Sequence, residues 1–290
     1  MRSLLFVPGD SQRKLEKGLN SGADALIIDL EDSVDLAAKE EARRVTAAFL
    51  SDTRDQTDRP RLYVRVNGLT TGLIDADLDG VMRAVPDGIV LPKTVGGADV
   101  SHLGAKLAVR EAEFGLADGG TRILAIATEN ALGVFALGTF AGASHRLMGL
   151  AWGGEDLSAD IGAETNRDDH GAYTEPYRIA RALTLLGAAA AAVDAVDSVY
   201  TNFRDMDGLA AECRQALRDG FVAKMAIHPA QVPVINEAFT PSTEALARAQ
   251  AAIDAFKANP GAGVVGVNGE MLDRPHLLRA ERLLSRAQKP

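Results

Sequence analysis

The chain has 290 residues, 47% of them hydrophobic and 24% charged, with a formal net charge of −9. That is enough apolar residue for a sizeable core and excludes a disordered chain, while the acidic balance argues against non-specific binding to nucleic acid or anionic membrane. The only cysteine, Cys213, can form no internal disulfide, which fits a reducing, cytoplasmic compartment.

The opening "LLFVP" (4–8) is too short and too soon broken by Pro8-Gly9 for a signal peptide, so it reads as a first strand, with a helix near 11–21. "ALIIDL" (25–30) follows, then a helix at 36–50 whose "KEEARR" run is a solvated face with i,i+4 pairs. "RLYVRV" (61–66) precedes a helix at 73–84, and "GIVLPK" (88–93) a longer one at 98–115. "RILAIAT" (122–128) leads to a short helix at 130–138. "RLMGLAWG" (146–153) leads through an irregular stretch to a helix at 176–190. Its apolar end, 183–193, stops at Asp194 and cannot span a membrane. "DSVYT" (197–201) and "FVAKMAIH" (221–228) each precede a helix, at 207–218 and 230–238.

Eight short strands, each followed by a helix, several without polar alternation, are what a parallel sheet buried on both faces requires. A closed (β/α)8, or TIM, barrel over 1–240 is preferred to an open doubly wound sheet, because the count closes and no linker interrupts it. Residues 241–290 remain as a C-terminal helical extension: a helix at 242–258, an irregular link, and a last helix at 274–288. "GAGVVG" (261–266) matches a dinucleotide-binding fingerprint but follows a helix and Asn259-Pro260, so it is assigned to the flexible link.

Chemistry in such barrels gathers where strands end. The residues found there are Asp29, Glu31 and Asp32 after strand two, Arg65 and Asn67 after strand three, and Lys93 after strand four. Glu129 follows strand five, Glu155 and Asp156 strand six, and His228 and Pro229 strand eight. Glu129 and Asp156 close neighbouring strands and together suit Mg²⁺, which takes few protein oxygens and keeps water. Arg65 could clamp a carboxylate or oxyanion in a bidentate pair. Any one of these acids alone reads equally well as a helix cap; the set around one mouth does not. Arg13, Lys14 and Lys17 open the first helix as a candidate phosphate site, or as a solvated face given Glu16 among them. The five histidines lack zinc spacing.

"RSLLFVPGD", "GADALIIDLEDSV", "YVRVNGL", "IVLPK", "TENALGVFAL", "GGEDLSADIGAE" and "IHPAQV" resemble the HpcH/HpaI aldolase and citrate lyase β-subunit (CitE-like) family, from residue 2 to about 285. The resemblance implies a (β/α)8 barrel, Mg²⁺ and cleavage or formation of a C–C bond next to a CoA thioester of malyl, citramalyl or citryl type. By motif position it implies Glu129 and Asp156 as metal ligands and Arg65 as substrate clamp and oxyanion stabiliser. Glu31 and Asp32 would order metal waters, and Pro229 of "IHPAQV" would contact substrate. Arg13, Lys14 and Lys17 would lie near CoA phosphates. Asp273 of "NGEMLD" would be the acid/base, reaching into a neighbouring subunit of a trimer or hexamer; an N-cap role for it is compatible. Two alternatives stay open: a malyl-CoA-type thioester hydrolase, and a citrate lyase β subunit that works only in an acyl-carrier complex.

Overall fold

The computed structural model describes residues 1–287. Eight parallel strands close into a barrel in chain order: β1 (Ser3–Pro8), β2 (Ala25–Asp29), β3 (Arg61–Arg65), β4 (Gly88–Leu91), β5 (Arg122–Ile126), β6 (Leu147–Ala151), β7 (Asp194–Asp197) and β8 (Ala223–Ala226), with β8 pairing back to β1. Between them run α1 (Gln12–Leu19), α2 (Lys39–Thr53), α3 (Ile74–Val81), α4 (Gly97–Phe114), α5 (Ala131–Phe135), α6 (Glu155–Asp160), α7 (Glu175–Ala190) and α8 (Met206–Asp219). α9 (Gln231–Phe239) closes the ring.

The near-continuous apolar strands are explained by two cores. Leu4, Ile27, Tyr63, Val90, Leu124, Ile126 and Met225 point inward and fill the barrel. The alternate residues, such as Leu26, Ile28, Val64 and Leu150, point outward and pack under the helices. Helix ends are set locally. Asn130 and Asp205 cap α5 and α8 by accepting the N–H groups of Gly133 and Gly208, and Gly115 and Gly220 end α4 and α8 in the left-handed region.

Three segments differ from expectation. Strand seven is Asp194–Asp197, not 197–201; Asp197 can close a buried strand because Lys224 on β8 neutralises it. The stretch after strand six, expected to be irregular, starts with the six-residue helix α6. "GAGVVG" is not wholly a flexible link. Its end is a strand, β9 (Val264–Val267), paired antiparallel with β10 (Glu270–Asp273). Asn268 and Gly269, at φ 49° and 84°, supply the left-handed turn that an Asn-Gly hairpin uses.

The extension is therefore a helix, α10 (Thr243–Ala258), the hairpin, and a second helix, α11 (Arg274–Ala287). Residue 288 of the expected last helix lies outside the described residues. The unit has its own small core of Ala249, Ala252 and Ala280 with Ile253, Leu272, Leu283 and Leu284. It leaves from the end of the barrel opposite the active mouth, where Thr240 accepts a hydrogen bond from Arg2 at 2.9 Å. No described helix is long and apolar enough to cross a membrane.

Gly88 opens β4 at a point that admits no side chain: a Cβ would lie 2.6 Å from the Arg122 carbonyl oxygen and 2.7 Å from Tyr63 Cε1. Gly88→Ala should lower the unfolding free energy by about 1–3 kcal/mol, read as a lower urea midpoint at unchanged m-value.

Candidate active site

The inward parity of two strands builds the first half of the site. Ala25 and Ile27 point into the barrel, so Asp29 does too, at the strand's C-terminal end. Tyr63 points inward, and Arg65 follows it by two. Asp29 and Arg65 are register partners on adjacent strands. They form a bidentate pair, Nε to Oδ1 and Nη2 to Oδ2, both 2.7 Å. Asp29 also accepts the backbone N–H groups of Glu31 and Ser33 at 2.9 and 3.1 Å, which fixes the loop after β2. The remaining nitrogen, Arg65 Nη1, lies 3.0 Å from Glu31 Oε2 and 3.6 Å from Asp32 Oδ2. Arg65 is thus not a free clamp: one edge is spoken for, and only Nη1 is left to face a ligand.

The second half is acidic. Glu129, just past β5, is buried and accepts the backbone N–H of Lys93. Lys93 adopts φ 54°, in the left-handed region, and this turn sends its side chain back across the mouth. Its ammonium donates to Glu31 and, at 3.0 Å, to Asp32, and lies 3.5 Å from Asp156 in the first turn of α6. Gly153 makes room for Glu129: a Cβ there would sit 2.7 Å from Glu129 Cγ. Burial, reinforced by Asp156 and Glu31, pushes the Glu129 carboxyl up to about 8. Burial also raises Glu31, against the pull of Arg65 and Lys93. Asp29 goes the other way: burial alone would raise it, but Arg65 together with the hydrogen bonds from Ser33 and Glu31 holds it below the usual carboxylate range.

These groups meet in a cavity of about 430 Å³ at the C-terminal mouth, lined by Phe6, Pro8, Asp29, Asp32, Arg65, Glu129, Glu155, Asp156 and apolar Ile126, Val199, Met225 and Ile227. The carboxylates of Asp29, Glu31, Asp32, Glu129 and Asp156 outnumber the cations Arg65 and Lys93. Glu31 Oε2 is buried without an aligned donor, despite its closeness to Arg65. Among the described residues no three His, Cys, Asp or Glu side chains form a closed metal cage. Two carboxylates with room for water are instead the donor set that Mg²⁺ accepts, and the uncompensated charge fits a divalent cation.

Arg65, Glu129, Asp156, Glu31 and Asp32 are therefore brought together. Arg13, Lys14 and Lys17 are exposed on α1 and do not line the cavity. Pro229 is exposed beyond Ile227, also outside it. Asp273 lies in the extension; it caps α11 and pairs with His276 rather than with any barrel residue. Asp160 accepts the N–H of Ala131 at 2.8 Å, tying α6 to α5. The sequence places Asp29 and Lys93 at strand ends without indicating what either does there, and it does not single out Gly153. The parity argument from Ile27 and Tyr63 could have found the inward placement of Asp29. Nothing local marks the Lys93 turn.

Fold and mouth define a (β/α)8 barrel enzyme with an acidic, arginine-containing site. Residues 2–229 match the family model described as HpcH/HpaI aldolase/citrate lyase. The chain is 35% identical to the citrate lyase subunit beta of Leuconostoc mesenteroides subsp. cremoris, covering 99% of this chain and 93% of that one. It is 36% identical to a (3S)-malyl-CoA thioesterase of Cereibacter sphaeroides, with 99% and 94% covered. The crystal structure of CitE from Mycobacterium tuberculosis in complex with magnesium, acetoacetate and coenzyme A superposes with a TM-score of 0.76 at 33% identity, covering 99% of this chain and 98% of that one. The chain belongs to the HpcH/HpaI aldolase/citrate lyase family.

The raised Glu129 carboxyl has a consequence for stability. The folded chain holds this proton up to about pH 8, whereas the unfolded chain releases it in the ordinary carboxylate range. Its contribution is therefore full at low pH and lost as pH rises through about 8. In EDTA, urea midpoints should fall more steeply with pH for the wild type than for Glu129→Gln; parallel profiles would refute the assignment.

Proposed function

We propose that the chain is a Mg²⁺-dependent carbon–carbon lyase acting on a short hydroxyacyl-CoA thioester of malyl, citramalyl or citryl type. The observation that carries this reading is the meeting, in one mouth, of the buried Glu129 and the half-buried Asp156 with an arginine held rigid by Asp29. Glu129 and Asp156 would hold the metal, with Glu31 and Asp32 orienting its waters. Bound there, Mg²⁺ supplies positive charge to the substrate's oxygens.

The protein's own part follows from the geometry. Arg65, fixed along one edge, presents Nη1 to a substrate carboxylate or to the thioester oxygen where negative charge develops. Cleavage removes the β-hydroxyl proton, breaks the C–C bond and leaves the electron pair delocalised from the α-carbon onto the thioester oxygen. The products are a keto acid or glyoxylate and, once the α-carbon takes up a proton, an acyl-CoA. Asp273 of a neighbouring protomer is the proposed base for the hydroxyl. This assignment goes with a homo-oligomer, a trimer or hexamer, in which the 241–290 extension of one chain packs over the 1–240 barrel of the next. Arg13, Lys14 and Lys17 are assigned to the CoA phosphates, Pro229 to the substrate rim, and the compartment to the cytoplasm.

The similarity to a thioesterase supports hydrolysis as a second reading, and the similarity to a citrate lyase β subunit supports a carrier-bound thioester. A panel of hydroxyacyl-CoA thioesters with Mg²⁺, analysed by mass, separates them. Acyl-CoA plus keto acid or glyoxylate is expected. Free CoA with an intact hydroxy acid indicates hydrolysis, and inertness of every free CoA ester indicates the carrier. Glu129→Ala should lower kcat/KM by on the order of 10²-fold or more, and Arg65→Lys by a similar factor, because lysine cannot make the bidentate pair with Asp29.

The shared tail has its own test. Arg65→Gln and Asp273→Asn oligomers should each be nearly inactive. Subunits of the two mixed by co-expression should regain activity, since some sites combine an intact mouth with an intact tail. Absence of complementation in verified mixed oligomers would place the base within the barrel's own chain.

A further inference from the structure

The loop between α6 and α7 is fastened to the barrel by a closed ring of side chains that the chemistry above does not use. Trp152, the residue after β6 and the chain's only tryptophan, is fully buried and donates Nε1–H to Asp197 Oδ1 at 2.7 Å. Asp197 Oδ2 accepts from Lys224 Nζ at 2.8 Å, and Lys224 donates again to Glu212 Oε1 on α8 at 2.7 Å. Glu212 Oε2 pairs with Arg167 Nη2 at 3.0 Å. The Arg167 guanidinium lies 3.7 Å from the centroid of the Tyr173 ring, and Tyr173 meets Trp152 edge-on at 5.0 Å, closing the ring.

The loop is also tied to itself. Arg167 and Tyr173 form an antiparallel bridge, Asp168 accepts the N–H groups of His170 and Ala172, both at 2.9 Å, and Arg167 Nη1 donates to Gly171 O at 2.8 Å. Asn166, next to Arg167, donates to Glu155 Oε1 at 2.7 Å, and Glu155 lines the mouth beside Asp156. Gly154 sits against Trp152, Asn166 and Tyr173, within 3.3–3.7 Å of where its Cβ would be. The turn Gly153–Asp156 is thus gripped between the ring and the loop.

We propose that Arg167 is a positioning residue: through Tyr173, Trp152 and Asn166 it makes residues 163–174 a fixed wall and holds the Gly153–Asp156 turn in the geometry that binds a divalent cation. The proposal rests on the reading of Asp156 as a cation ligand. Arginine suits the task because one flat group stacks on the tyrosine while its edge pairs with Glu212. It acts on the cation through the supporting shell, where losses of 10–100-fold in affinity are usual.

The sole tryptophan gives a direct readout. Arg167→Gln, Arg167→Lys and Arg178→Gln are compared with wild type; Arg178 is exposed and, among the described residues, its ion pair is with Glu175. Two quantities are measured, the emission maximum of Trp152 and the Kd for Mn²⁺ by calorimetry. Arg167→Gln should red-shift Trp152 and raise the Mn²⁺ Kd about tenfold. Arg167→Lys, which keeps the ion pair but not the flat stack, should fall between, and Arg178→Gln should match wild type. A folded Arg167→Gln with wild-type emission and a Kd within twofold of wild type overturns the proposal. If Arg167→Gln does not fold, Tyr173→Leu removes the same platform without stranding a charge, and the same outcomes apply. A wild type that binds no Mn²⁺ sinks the cation reading itself, and with it the cation half of the proposal. The emission shift still decides the wall.

Discussion

An excess of carboxylate in a partly buried mouth is the constraint around which this molecule is arranged. Charges of one sign, close together and away from water, repel one another strongly and resist ionisation. The fold meets this in three ways. Asp29 is neutralised outright by a cross-strand arginine. Glu31 and Asp32 share one lysine. Glu129 keeps only a backbone donor and is driven toward its neutral form. A site left in that condition is built to receive positive charge.

Both faces of the barrel wall carry buried ion pairs, and they do different work. On the inner face Asp29 and Arg65 meet at the mouth, where the pair fixes a guanidinium and still leaves one nitrogen for a ligand. On the outer face Asp197 and Lys224 meet under the helices with no access to solvent. Removing one member of such a pair strands a charge, whereas the intact pair gives little net stability over an apolar packing. What the outer pair offers is direction: its oxygens and hydrogens orient Trp152, Arg181 and Glu212, and through them the wall of the sixth loop.

Much of this was legible in the sequence, for identifiable reasons. Strands buried on both faces stand out as unbroken apolar runs, so seven of the eight were placed close to their true positions and the barrel followed. β7 was misplaced because its ends are Asp194 and Asp197, and a strand closed by a buried carboxylate is recognisable only once Lys224 is known to lie opposite. Glu129, Asp156 and Arg65 are legible as candidates because they stand at or a few residues past the C-terminal ends of apolar runs. Asp29 and Lys93 stand at strand ends too, but their roles are not legible: a sequence does not say which residues are register partners, and a lysine in the left-handed region has no local signature. The hairpin in the extension was missed although Asn268-Gly269 announced it; the glycines before it drew attention to flexibility.

Lys93 is the built-in counter-ion of the acidic mouth. Its ammonium lies among the carboxylates of Glu31, Asp32 and Asp156. Were a cation held by Asp156, as proposed above, it would compete with this ammonium for the same carboxylates, and the net affinity would be the difference between two electrostatic terms. The same logic links occupancy to stability, because whatever binds the folded mouth and not the unfolded chain raises the cost of unfolding. The gripped turn at Gly153–Asp156 completes the logic: exchange at a fixed site requires that the lysine yield while the carboxylates stay in place. The two are held differently: the Lys93 ammonium is kept by ion pairs alone, at the end of a long side chain, whereas Asp156 sits on a turn fastened through Glu155 and Gly154 to the following loop.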